Sequence, residues 1–447
     1  MNMLGLDLTG ARDVVGGDPS EDVAGTDQSG RHDAHGMMAT VARTRPLRVL
    51  SISACPFWDV EDRKGMPSIY LGHKVFVDAG HEVTFVHPGR ERRIYDYDGI
   101  RMHQFRLRFP IVPARHIWLH RLSLKLYYPV FVLRAAIEAL RVCRTFAPDV
   151  VYGQLFQAVP VAWFIGRVRG VPNITRMYGT FLAPWLHSWK RILRFDEALA
   201  FKFPCAYLVM TNDGTRGDEC AAALGVPPER LKFWRNGVDK AIRDPQFDRC
   251  SFKASLGIPN EHKIALALCR LERWKGVDRL IAALPAVLSQ VHDVTVLIVG
   301  DGSDRDMLQR MAQESGVAAH VRFVGSVCHE KIGSYLNAAD VFVSLYHYSN
   351  VGNPLLEALS CGKCVVSIDN GATGKLIENG KTGLLLKEDR LDELPDALVR
   401  VLTDDALRKR LSDAALAYAS EHFQTWPERL QMEVELVERL VASGSSA

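Results

Sequence analysis

The feature that most limits how this chain can fold is an alternation of short β-branched runs with helical stretches, and the alternation happens twice. In the first series Leu47–Ala54, Glu82–His87, Val150–Tyr152, Asn173–Met177 and Ala206–Thr211 read as strands. Ser68–Ala79 reads as a helix stopped by Gly80 just past its end. The pattern restarts with strands at Ile264–Leu268, Val294–Val299, Val321–Val324, Val341–Ser344 and Val365–Ile368, and with helices at Val277–Leu288, Asp304–Glu314, Lys331–Ala338 and Pro354–Ser360. Strands separated by helices pair in parallel and are buried on both faces. The expectation is an α/β protein of two Rossmann-like, doubly wound domains, with a ligand cleft outside the carboxyl ends of the strands. The polar stretch Asn236–Asn260, holding Pro245 and Pro259, separates the two series. Domains are therefore expected at 46–240 and 241–423, followed by an end that is helical by pattern.

Residues 1–45 fall outside this pattern. They carry seven carboxylates, four arginines and almost no apolar periodicity, which predicts a disordered tail. They contain no apolar run of the kind a secretory signal needs. Elsewhere no window reaches 18 uncharged apolar residues, so no spanning helix is expected. Nine cysteines without framework spacing point to a reducing compartment, hence a cytoplasmic protein. The formal charge, 55 − 52 = +3, argues for no polyanionic partner, and nucleic acid is not expected.

Three segments of the second half carry chemistry. Cys269–Gly276, C-R-L-E-R-W-K-G, directly follows a strand and places Arg270 and Lys275 at the sheet's carboxyl edge. A planar guanidinium fork and a mobile ammonium together suit a diphosphate, though alone they also read as a solvated loop. Asn353–Lys363 puts Pro354 in a first helical turn and Gly362 past the end. The free N–H groups of such a start bind anionic oxygens, and Glu357, one turn in, could accept from a ribose diol or simply complement the helix dipole. Val299–Asp304 is a strand followed by a tight glycine turn, a structural feature of many α/β sheets.

The order of these pieces resembles family 4 glycosyltransferases of the GT-B fold. The resemblance runs from about Leu47 to Leu440 and rests on N-G-V-D at Asn236–Asp239, R-L-x-x-x-K-G at Arg270–Gly276, G-D-G at Gly300–Gly302, F-V-G at Phe323–Gly325, L-E-A-L-S-C-G at Leu356–Gly362 and G-K-T-G-L-L-L at Gly380–Leu386. It implies retaining transfer from a nucleotide-sugar donor, with no bound metal and no other cofactor. Arg270 and Lys275 would hold the diphosphate, and Glu357 the ribose. Gly352, Asn353, Pro354, Leu355 and Leu356 would meet phosphate or sugar oxygens, and the base would lie near Val324–Gly325. Gly65, in Lys64–Gly65 where the family has a glycine pair, would let backbone approach the donor phosphate.

The chain departs from the family at three places. Where the first of two glutamates eight positions apart would stand, it has Ser349, followed by Asn350, so neutral groups would face the donor sugar. Where a histidine precedes a glycine in the first domain it has Tyr178, a poor base near neutral pH, with Arg176 beside it on the acceptor side. Lys375 stands where a glutamate is common. A catalytically silent nucleotide-sugar-binding scaffold is therefore the alternative reading.

Two other signals bear on partners. Arg101–Arg144 has nine Arg or Lys against one carboxylate, interleaved with Trp118, Leu122, Leu126 and Phe131. Such a surface suits peripheral contact with an anionic membrane at the inner face of the cell membrane, or a solvated face over a core helix. The pairs Asp304/Asp306 and Asp96/Asp98 are read as a helix start and a polar loop rather than a metal site. The acceptor is expected to be a glycan, a lipid-linked sugar or a small molecule.

Overall fold

Why the second half forms a buried sheet is visible in its strands. Along Lys263–Leu268, Ala265 and Ala267 pack into one core while Ile264, Leu266 and Leu268 pack into another on the opposite face. An apolar residue at every position leaves neither face for water, so helices must cover both. The computed structural model describes residues 45–55, 58–59, 64–65, 67–109 and 117–444. The expectation of a disordered tail at 1–45 falls almost wholly outside them.

The first sheet has eight strands in the order Leu231–Trp234, Tyr207–Thr211, Asn173–Met177, Val150–Gln154, Arg48–Ser53, Glu82–Gly89, Ile100–Arg106 and Arg93–Tyr97. All neighbours are parallel except the last pair. The second sheet has six parallel strands in the order Val321–Gly325, Val294–Val299, Lys263–Leu268, Val341–Ser344, Cys364–Asp369 and Leu384–Lys387. Both belong to one compact unit. This is the doubly wound α/β pair that the alternation predicts.

The structure corrects the sequence reading at the sheet edges. Arg93–Tyr97 and Ile100–Arg106 form an antiparallel hairpin whose exposed, charged residues disguise it as a loop. Asp96 therefore lies on a strand, and Asp98 lies in the hairpin turn at φ 49°, accepting from the Tyr70 hydroxyl at 2.6 Å. The edge strands Leu231–Trp234 and Leu384–Lys387 are four residues each, too short to show a period. The basic stretch after Ile100–Arg106 becomes a single 26-residue helix, Ile117–Val142, which continues through Pro129. Among the described residues no helix is long and apolar enough to cross a membrane.

The two sheets are tied by a crossing of the chain. Val238 pairs in parallel with Thr425, its N–H donating to the Gln424 carbonyl at 2.9 Å. Gly237 is required there, because a Cβ would lie 2.5 Å from the Cα of Trp426. Helix Trp426–Gly444 then packs Val434, Leu436 and Val437 against Val49, Phe76 and Ile100 of the first lobe. Its Glu433 lies between two buried guanidiniums, 3.4 Å from Arg176 Nε and 3.5 Å from Arg429 Nη1. Removing that carboxylate strands two buried cations. Glu433→Ala is therefore expected to lower the unfolding free energy by about 3–5 kcal/mol, measured by urea denaturation; a loss under about 1 kcal/mol would show that the triad is not structural.

Candidate functional site

In the second sheet the strand order turns at Lys263–Leu268 and Val341–Ser344, which lie side by side while the chain leaves them in opposite directions. A crevice opens where two such loops part. The first loop is held in place by Cys269 N–H donating to Val299 O and Leu271 N–H to Asp301 O, at 3.0 and 2.9 Å. A Cβ on Gly300 would lie 1.8 Å from the Cys269 carbonyl oxygen, so only glycine lets these turns close on one another. Gly276, at φ 66°, does the same against Leu345.

This loop presents Arg270 and Lys275. The Arg270 side chain is exposed, and no protein group among the described residues hydrogen-bonds or ion-pairs with it. Lys275 has no carboxylate partner either. Its Nζ lies 3.9 Å from the centre of the Trp274 ring and 3.7 Å from that of Tyr346. Burial pushes this ammonium from its usual 10.5 down to about 7, with Arg270 adding to the effect and Asp213 opposing it.

Tyr346 begins the second loop. Its ring is buried, its hydroxyl donates to Leu268 O at 3.2 Å, and it lies within the electrostatic reach of both Arg270 and Glu357. Glu357 is only 3% exposed, one turn into helix Asn353–Ser360. Its Oε1 lies 3.3 Å from His329 Nε2, and its Oε2 is buried without a partner. His329 is held above its usual pKa, chiefly by that contact. The helix start has no side-chain cap: Gly352 occupies the cap position, Pro354 lacks an N–H, and the Leu355 and Leu356 N–H groups turn back to Gly352 O. The Asn353 side chain accepts from Asn236 at 2.8 Å. Gly325, at φ 88°, ends its strand against Gly300, with Val324 packed into the core beside it. Two cations without counter-ions and a carboxylate oxygen with no donor, all among the described residues, thus flank Tyr346, and the uncapped helix start leads to that carboxylate. Such a set can hold a ligand carrying both a diphosphate and a diol.

Residues 248–417 match the family described as glycosyl transferases group 1, and residues 75–237 match the glycosyl transferase 4-like domain. The chain belongs to the family 4 glycosyltransferases. Among curated relatives of this glycosyltransferase is the alpha-D-kanosaminyltransferase of Streptomyces kanamyceticus, 26% identical over 57% of the chain and 67% of the relative. Another is a GDP-mannose-dependent alpha-(1-6)-phosphatidylinositol monomannoside mannosyltransferase of Mycolicibacterium smegmatis, 31% identical over 48% of the chain and 58% of the relative. The chain spans roughly half to two thirds of the length of the curated relatives it matches first, 54%, 67% and 48%. Among solved structures, Anabaena HepE in complex with UDP and glucose shares the GT-B fold at a TM-score of 0.66 and 19% identity, covering 88% of this chain and all of its own.

The first lobe of the glycosyltransferase meets the crevice from the other side. Tyr178 is half-buried and donates to Gln154 Oε1 at 3.0 Å. Gln154 in turn reaches Ser51 and His73, a buried polar network at the point where the first sheet's order turns. Burial raises the Tyr178 pKa above its ordinary value, so the hydroxyl stays protonated. Arg176 is buried, with its donors committed to Met177 O, Thr211 and Glu433, and its guanidinium stacks 4.2 Å from the Tyr178 ring centre. The geometry therefore puts Tyr178, not Arg176, nearer to anything entering. Gly65 lies on a two-residue strand, Lys64–Gly65, paired antiparallel with Trp58–Asp59. Ser349, at φ 57°, donates to Asp213 of the opposite lobe at 2.8 Å, and the Tyr348 hydroxyl lies within hydrogen-bond reach of Thr180 O and Thr215 O. Asn350 is fully buried, with neither amide atom partnered.

Sequence reasoning missed Asp213, His329, Tyr346 and Gln154. Gln154 ends its strand, and Tyr346 and Asp213 each stand two residues past one, which is a signal; His329, at the start of the short 3-10 helix His329–Lys331, has none. A cavity of about 350 Å³ is lined by Asn236, Val351 and Leu356 beside the helix start and by Trp234, Lys375 and Phe423; neither Arg270 nor Lys275 lines it.

Lys275 is held where its charge costs the folded protein stability. Its folded pKa, about 7, lies below the usual 10.5, so the unfolded chain binds the extra proton between those values and stability rises with pH through that window. Lys275→Met is therefore expected to melt higher than the native protein at pH 6, with the gain shrinking toward pH 10. Calorimetry that found no gain at pH 6 would show that the ammonium is not strained.

Proposed function

We propose that the protein is a retaining glycosyltransferase that moves a sugar from a UDP- or GDP-sugar to a hydroxyl acceptor. Arg270 and Lys275 hold the diphosphate and stabilise its charge as the glycosidic bond breaks. Glu357 accepts from the ribose diol. At the start of helix Asn353–Ser360 the Gly352 and Asn353 amides meet phosphate or sugar oxygens, since Pro354 has no N–H and those of Leu355 and Leu356 bond to Gly352 O, and Val324–Gly325 border the base. The two side-chain cations take the charge-neutralising role, so no metal or other cofactor is required. The observation that carries this reading is the set of unsatisfied charges in one crevice: Arg270 and Lys275 without counter-ions, and Glu357 Oε2 without a donor. The donor class is supported by relatives and neighbours whose names record GDP-mannose dependence and bound UDP-glucose. Tyr178, protonated and donating to Gln154, is not the base, and the departing phosphate takes the acceptor's proton.

The acceptor is a glycan, a lipid-linked sugar or a small molecule, and the protein works at the inner face of the cell membrane, touching it through residues 101–144. Support for that contact comes from surface chemistry. Leu122, Leu126, Val130, Leu133 and Ile137 form an exposed stripe on helix Ile117–Val142, and Trp189, Ile192, Leu193, Phe195 and Leu199 add a second exposed apolar segment. The segments meet where Lys125 pairs with Asp196 and Tyr128 packs on Phe195. Their three carboxylates, Glu138, Asp196 and Glu197, are all buried and ion-paired, so every charge exposed there is positive. An apolar surface rimmed only by cations suits anionic lipid.

A thermal-shift panel of UDP, GDP, UDP-glucose and GDP-mannose tests the donor, since a ligand that binds only the folded state raises its melting temperature. One base is expected to stabilise the protein, and Arg270→Ala to lower turnover roughly a hundredfold or more while leaving the unliganded melting temperature unchanged. Stabilisation by none of the four would overturn the assignment. Binding without release of free nucleoside diphosphate would favour the silent scaffold that Ser349 and Tyr178 raise. Sedimentation with vesicles holding anionic phospholipid tests the contact: Leu126→Asp with Trp189→Asp should abolish pelleting, and unchanged pelleting would refute it.

A further inference from the structure

Asp213 is a half-buried carboxylate in the first lobe, just past strand Tyr207–Thr211. It accepts three hydrogen bonds, all from neutral donors: the Thr215 N–H at 3.2 Å, the Thr215 hydroxyl at 2.6 Å and the Ser349 hydroxyl at 2.8 Å. A carboxylate offers about four acceptor sites, so one is left over. No cation among the described residues ion-pairs with it, and burial raises its pKa. An enclosed carboxylate without a counter-ion costs stability, and the fold alone gives no reason to keep it. Gly179, at φ 111°, makes room for it, since a Cβ there would lie 2.5 Å from Oδ2. Gly214 makes room for Asn350 in the same way, a Cβ there falling 2.9 Å from the Asn350 N. Asn350 is wholly buried, and its amide oxygen and nitrogen both lack partners.

This polar cluster begins close enough to Lys275 for the Asp213 charge to act on the ammonium. Tyr346, whose ring centre lies 3.7 Å from Lys275 Nζ, begins the segment that carries Ser349 and Asn350, so the cluster adjoins the cation end of the crevice. Its chemistry is unlike that of the Arg270–Lys275 end. A carboxylate repels phosphate, whereas a carboxylate, a hydroxyl and a free amide together match the alternating donors and acceptors of a neutral polyol. We propose that Asp213, supplied by the opposite lobe, acts with Asn350 as the specificity-determining contact for the hydroxyls of the transferred sugar. The inference rests on the donor-site reading above. It makes sugar recognition depend on both lobes, because Ser349 reaches Asp213 only across the crevice.

Calorimetric titration of the whole protein with UDP, GDP, UDP-glucose and GDP-mannose tests it, comparing the native chain with Asp213→Asn, Ser349→Ala and the relocated carboxylate Asp213→Ser/Ser349→Asp. Asp213→Asn should leave the affinity for the preferred free nucleotide within about twofold and weaken its sugar nucleotide roughly tenfold or more, the scale of a hydrogen bond to a charged group. Ser349→Ala, which keeps the carboxylate, should shift the same ratio less, and the relocated variant should recover part of it. Melting curves identify any variant that fails to fold, and the milder Ser349→Ala then carries the test. Equal loss of nucleotide and sugar nucleotide, or no change in either, would overturn the proposal while leaving the donor site standing. A native protein that binds none of the four would overturn both.

Discussion

Everything in the crevice depends on a lysine ammonium held between two aromatic rings with no carboxylate to neutralise it. The Trp274 and Tyr346 rings offer Lys275 only their faces, an attraction too weak to offset the loss of water. Arg270 on the same loop makes the potential more positive, and none of the described residues supplies the partner that would satisfy both. The second sheet makes this arrangement possible. Its order turns between two adjacent strands, so the loop bearing the cations and the loop leading to Glu357 part at one edge. Glycines at 276 and 300 let those loops approach to distances that a side chain would forbid.

The first lobe is placed over this edge by the chain crossing at Val238–Thr425 and by the buried Arg176–Glu433–Arg429 triad. One consequence is a division of labour among arginines. Arg176 and Arg429 join the C-terminal helix to the first sheet, whereas Arg270 is left free. Where the lobes touch across the crevice, hydrogen bonds join Tyr348 to Thr180 and Thr215 and Ser349 to Asp213, and the Tyr348 ring packs on Phe181 at 5.5 Å. Hydrogen bonds of this kind, each of modest net worth, suit surfaces that separate and re-form.

The central strands and the crevice's principal residues were legible in the sequence because each depends on local signals. Ile264–Leu268 is an unbroken apolar run and Val294–Val299 is interrupted only by Thr295, and Arg270, Lys275 and Glu357 lie at fixed offsets from strand and helix ends. The charged hairpin Arg93–Arg106 and the four-residue edge strands were not legible, because their period is masked by exposed polar residues or too short to detect. The commitment of Arg176 to the core was also hidden, since its partner Glu433 lies more than 250 positions away. The same holds for Asp213, whose contact with Ser349 spans 136 positions. Local pattern marks what a strand end presents, but not which distant side chain will come to meet it.

The central claim is that Lys275 is a strained cation awaiting an anion. It can be read directly by following the lysine side-chain carbon next to the ammonium by NMR as pH is raised, in the free protein and with saturating UDP or GDP, with Lys275→Met identifying the signal. The account predicts a midpoint near pH 7 in the free protein, displaced upward by the bound nucleotide. A midpoint near 10.5 in both states would contradict it.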